Sequence, residues 1–173
     1  MAIISDTKDW TWVLERPCPE CGFAAALADF DLIPRLVREN ATRWQPVLQR
    51  PDAATRPDDR TWSALEYAAH VRDVFRIFDQ RLALMLAEDD PAFPNWDQDA
   101  TAVAERYNEQ EPAVVARELA EAAASVADAF AAVPPARRGR TGRRSDGARF
   151  TVTTMAQYFV HDPVHHLHDV AGD

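Results

Sequence analysis

Apolar residues recur at intervals of three and four along most of this chain, and four stretches carry the pattern long enough to form helices. The first covers roughly 24–48, with Leu27, Phe30, Ile33, Leu36, Val37, Trp44 and Leu48 on one face. Pro34 suits a helix N-terminus with Asp29 or Asp31 as its cap, and Pro46 and Pro51 mark the end. The second opens at Thr61 or Ser63, where Glu66 three residues after Ser63 completes a capping box. Tyr67, His70, Val71, Val74, Phe75, Phe78, Leu82 and Met85 follow at helical spacing, and the helix ends near Glu88. A mixed connector with Phe93, Trp96 and Tyr107 leaves room for a short helix over roughly 97–106. The third long helix spans roughly 111–133, with Pro112 in its first turn and Val115, Leu119, Ala122, Val126 and Phe130 as its stripe. The last begins at Thr151 or Thr153 and runs to Gly172.

Four long helices separated by loops predict an all-α bundle. Period-two alternation is confined to Trp10-Thr-Trp12-Val-Leu, a short strand or an apolar strap across the bundle. At 173 residues the chain makes one domain, 1–173, with an irregular N-terminal strap over 1–23. Without a run of 18 apolar residues or a leader-like N-terminus, the expected location is the cytoplasm, with no membrane partner.

A net charge of −9 argues against nucleic acid as a partner, because phosphate contacts need clustered cations. The local exception is Arg137, Arg138, Arg140, Arg143, Arg144 and Arg149, in a Gly/Pro-bearing stretch over 134–149. It reads as a solvated loop or as a mouth for an anionic substrate or cofactor, with Arg143 and Arg144 as binding candidates. Lys8 is the only lysine among many arginines and alanines, a hint of a GC-rich source.

Candidate chemistry sits at both ends. Cys18-Pro-Glu-Cys21-Gly is half of a zinc knuckle, and no second cysteine pair completes it. It reads as thiols in a tight turn, as a redox pair, or as metal ligands. Four of the five histidines lie in the last helix, at 161, 165, 166 and 168. Relative to His161, His165 lies about 40° round the helix, His168 about 20° the other way, and His166 about 140° off. Tyr158 and Gln157 extend the His161 face toward substrate. His161, His165 and His70 from the second helix make a three-ligand site with an open position. Zinc is the first choice, and nickel or iron also accepts imidazole. His168 and His166 are candidate further ligands, and Asp162 and Asp169 are candidate hydrogen-bond partners for the imidazoles. Pro163 predicts a kink that aims them.

Trp62-Ser63-Ala-Leu-Glu66-Tyr-Ala-Ala-His70-Val and His161-Asp-Pro-Val-His165-His166 together resemble the two motifs of the DinB/YfiT-like superfamily, in this order and spacing. The resemblance covers roughly 24–171 and implies an up-down-down-up four-helix bundle, often a homodimer, with a divalent metal on three histidines. These map onto His70, His161 and His165. Some members look like thiol-dependent transferases or isomerases that use mycothiol, bacillithiol or glutathione. Mycothiol-dependent maleylpyruvate isomerases carry a carboxylate and a histidine four apart, a register that selects Asp162 and His166 instead. The His161/His165 register is preferred, since it shares an arc with His168. The ending His165-His166-Leu-His168-Asp169-Val departs from the family's usual one, and Cys18 and Cys21 lie outside its pattern.

The expected function is metal-dependent transfer or isomerisation of a small-molecule substrate, with a low-molecular-weight thiol activated by the ion. The alternatives are metal-dependent hydrolysis and a non-catalytic metal- or small-molecule-binding bundle.

Overall fold

The structure, a computed structural model, describes Ile3 and residues 9–171. Lys8 and the expected helix end at Gly172 lie outside the described residues. Four long helices form the bundle: α1 (Ile33–Leu48), α2 (Ala64–Ala87), α4 (Pro112–Ala131) and α5 (Val152–Asp169). A short α3 (Gln98–Ala104) sits in the connector, within the expected range. α4 packs on α1 and α2, and α5 packs on the same two helices from the other side.

Side-chain bonds between helices fix their directions. Arg50, just past α1, donates to the Val170 and Ala171 carbonyls past α5, so these helices run parallel. Gln45 late in α1 reaches the Ala116 carbonyl early in α4, so that pair is antiparallel. Arg72 meets Glu118 and Asp79 meets Ser125, which makes α2 and α4 parallel. The long helices therefore run up, down, down, up in chain order. Parallel α2 and α4 force the connector to climb back along α2. It passes Trp96 over His70 and bonds the Tyr107 hydroxyl to the Asp73 carboxylate at 2.5 Å.

Local signals explain the helix starts. The Ser63 side chain accepts from the Glu66 N–H while the Glu66 carboxylate accepts from the Ser63 N–H, closing the capping box that opens α2. Thr151 and Thr154 cap α5 in the same reciprocal way. α5 continues through Pro163, whose carbonyl accepts from the buried Asn40 amide at 2.7 Å.

Two expectations are corrected. The first helix does not begin near 24: short 3-10 turns at Ala25–Leu27 and Phe30–Leu32 precede α1, and Asp29 caps the second turn rather than the helix. The 134–149 stretch is not a loose loop. It folds into β2 (Thr141–Arg144) and β3 (Arg149–Thr151), paired antiparallel, and β1 (Ala92–Phe93) joins β2 in parallel. Its arginines are engaged. Arg137 and Arg140 donate to the last carbonyls of α2, which a helix leaves without partners, and Arg138 pairs with Asp31.

Gly142 lies beneath buried Met85 and Phe93. A Cβ there would come within 2.8 Å of Met85 Cγ and 3.0 Å of Phe93 Cε1. Gly142→Ala is expected to cost about 1–3 kcal/mol by overpacking, read from the urea midpoint. A midpoint equal to wild type would show that the sheet yields freely at this point.

Candidate metal centre

Successive helical residues lie about 100° apart, so α5 presents two adjacent polar faces. Asp162 and His166 face α2. His70 Nε2 lies 3.2 Å and 3.5 Å from the two Asp162 oxygens, and His166 Nε2 lies 3.8 Å from Asp162 Oδ1. One ligand atom from each of the three residues falls within 4.8 Å of the others. His166 Nδ1 sits 2.9 Å from Asp169 Oδ2, which favours a proton on Nδ1 and leaves the Nε2 lone pair facing the group.

His70 is fully buried, stacked on Trp96 with ring centres 5.1 Å apart and 6° between planes. Its Nδ1 has no hydrogen-bond partner among the described residues. An unpaired buried nitrogen costs about 1–3 kcal/mol, so this histidine is poorly explained by stability alone. Burial pushes the Asp162 carboxyl up, but the charges of His70 and His166 outweigh it and hold the pKa at about 2. The group thus offers two imidazoles and an ionised carboxylate.

His161 and His165 face the strap. His165 Nδ1 is 3.6 Å from Cys18 Sγ, and His161 Nε2 is 3.7 Å from Cys21 Sγ. These four residues form a second group, again with all ligand atoms within 4.8 Å. The Trp10 ring lies over both imidazoles, with centres 5.6 Å and 5.2 Å away. Burial drives the His161 pKa down to about 4, helped by His165. Burial also lowers that of His165, against the pull of Asp169. Both rings are therefore neutral near pH 7. Burial pushes the Cys21 thiol up to about 11.

A small cavity of about 90 Å³ opens where the two faces meet, lined by Trp10, Gln98 and Tyr158 beside Asp162 and the three imidazoles of His161, His165 and His166. The family model of the DinB superfamily matches residues 36–170. The chain belongs to the DinB superfamily. YfiT from Bacillus subtilis, described as a probable metal-dependent hydrolase with an unusual four-helix bundle topology, shares the fold at a TM-score of 0.73. The match covers 82% of this chain and 85% of YfiT, at 17% sequence identity. No curated protein matches the chain.

Within this DinB fold the expected trio of His70, His161 and His165 is not brought together. His70 meets Asp162 and His166, the pair of the other register, because those positions continue the seam toward α2. Val152, Met155 and Phe159 form that seam, and steps of three and four from Phe159 land on Asp162 and His166. Asp162, expected beside the ligands, shares one cluster of donor atoms with His70 and His166, and Asp169 contacts the His166 ring. His168 is exposed and belongs to neither group.

The other candidates divide. Tyr158 reaches the cavity, and its hydroxyl accepts from Arg144 at 3.0 Å. Arg144 is itself buried, paired with Asp146, and acts on the cavity only through Tyr158. Arg143 pairs with Asp90. Gln157 donates to the Ala26 and Ala28 carbonyls, which anchors the turns before α1 rather than a substrate. Sequence reasoning missed Trp10, Trp96 and Gln98. Trp10 carried a signal, the apolar alternation of the strap, whereas Trp96 and Gln98 depend on the path of the connector.

Proposed function

We propose that this DinB-superfamily chain is a metal-dependent enzyme, with a divalent ion on His70, Asp162 and His166. The observation that carries the reading is the mutual approach of these three donors, two of which, Asp162 and His166, line a cavity. Three ligands beside an open space describe a catalytic rather than a closed site. A bound ion would lower the pKa of a thiol or water and supply a nucleophile at neutral pH. The protein's own residues do the rest. Trp62 and Trp96 shield His70 from water, and Asp169 holds the His166 ring in its tautomer. The Tyr158 hydroxyl, set by Arg144, is a polar group that can orient a substrate.

Among reactions, we favour transfer or isomerisation that uses a low-molecular-weight thiol, mycothiol first. The support is the Asp162/His166 register, which resembles that of the mycothiol-dependent isomerases. Hydrolysis is the second reading, supported by the description of YfiT. Zinc is the preferred ion, although two imidazoles and a carboxylate also suit ferrous iron.

The test is turnover of the fluorogenic electrophile monochlorobimane with mycothiol, and of nitrophenyl esters without thiol, by zinc-loaded wild type and His70→Ala. Thiol-dependent turnover lost in His70→Ala supports the first reading, and ester turnover lost in the variant supports the second. Metal content and both rates unchanged by His70→Ala would remove the site altogether.

A further inference from the structure

The thiols and imidazoles on the strap-facing side of α5 play no part in that reaction. We propose that Cys18, Cys21, His161 and His165 form a second, closed zinc site that pins the N-terminal strap to the last helix. The inference goes beyond the proposed reaction and uses none of its ligands.

Donor type is the first argument. Two sulfurs and two imidazole nitrogens are a complete tetrahedral set for structural zinc. The second argument is distance. Zinc bonds of about 2.3 Å to sulfur and about 2.0–2.1 Å to nitrogen, meeting at the tetrahedral angle, set sulfur and nitrogen about 3.5–3.6 Å apart. The two sulfur–nitrogen contacts measure 3.6 Å and 3.7 Å. Helix geometry supplies the two imidazoles, one turn apart. A tight turn supplies the two sulfurs: the Gly22 N–H donates to the Cys18 carbonyl, and the Cys18 N–H donates to the Phe23 carbonyl. Gly22 has φ +74°, a conformation that glycine adopts without strain.

The surroundings fit. Cys18, His161 and His165 are buried, and Trp10 covers both rings. The outer nitrogen of His165 lies 3.4 Å from Glu20 and 3.7 Å from Asp169, the carboxylate neighbours that ligating imidazoles commonly have. Zinc binding would release both thiol protons to solvent and leave two thiolates against the dication, a neutral centre suited to burial. With four protein ligands the site has no open position. Its role is to hold Trp10 over the cavity and to fix the turn of α5 that carries Asp162 and His166 on its adjacent face.

The experiment uses the full untagged chain, purified under reducing conditions and saturated with zinc. Elemental mass spectrometry is expected to show that Cys18→Ser/Cys21→Ser loses one zinc equivalent relative to wild type. His70→Ala is expected to lose a different one, so that either site can fail alone. In His70→Ala protein, zinc absorption spectroscopy is expected to show sulfur at about 2.3 Å together with nitrogen. Alkylation of both thiols should stop until a chelator is added. That measurement needs no cysteine variant to fold. Zinc content unchanged by loss of both cysteines would overturn the proposal, as would an absorption spectrum without sulfur. A Cys18–Cys21 disulfide that persists under zinc and reductant would overturn it in favour of a redox pair.

Discussion

Asp162→Asn is expected to weaken zinc binding at the α2–α5 site by more than about 100-fold, since even the outer partners of metal ligands are worth about 10–100-fold. Asp162 is the anionic member of its group, and it contacts both His70 and His166. Asparagine keeps the shape and one acceptor oxygen for His70 Nε2, so the metal-free fold should change little while the charge is lost. Asp169→Asn, which touches the group only through His166, should fall within the smaller range. Calorimetric titration of zinc-stripped wild type and both variants checks the order. Equal affinity for Asp162→Asn and wild type would place the ion elsewhere and remove the basis for the reaction.

The sequence made the long helices readable because their signals are local. Ser63 and Glu66 lie within one turn, and the stripe from Val115 to Phe130 needs no distant partner to be recognised. The hairpin was legible in part. Asp146-Gly147 is a strong turn pair, and Gly147 adopts φ +97°, but the surrounding arginines read as a solvated loop. Their engagement depends on the end of α2, some fifty residues earlier in the chain.

The register of the group that meets His70 was legible in principle. Both His161/His165 and Asp162/His166 satisfy a spacing of four. The apolar run Val152, Met155, Phe159 decides which pair faces α2, and therefore which pair meets His70. The cysteine turn was not legible in this way. Its nearest imidazoles are 147 and 140 residues distant, and no local period links a strap to the far end of the chain. The onset of α1 failed for a related reason. The apolar residues of 24–32 suit a helix, but Gln157 from α5 binds two carbonyls there and stabilises the bent path.

Phe159→Ala is expected to destabilise the metal-free protein by about 3–5 kcal/mol, the cost of deleting a buried ring and leaving its cavity. The Phe159 ring is fully buried, with Phe78 at 4.9 Å, Phe130 at 5.6 Å and Phe75 at 5.9 Å. It therefore joins α5 to α2 and α4 at once. For a domain of this size the loss corresponds to a fall of about 6–20 °C in Tm. Phe159→Leu retains most of the volume and should cost far less. Urea denaturation of stripped protein is the proper measurement, because bound zinc would add its own stabilisation. The consequence extends to the site, since Phe159 lies one turn before Asp162 on the same seam. Metal ligands hold their ion only while their supports keep them within about 0.5 Å of place. A variant that loses stability and zinc affinity together would show that the aromatic seam sets the distance between α2 and α5. Lost stability with full affinity would instead mean that α5 is positioned from its other side, by the strap and its cysteine turn.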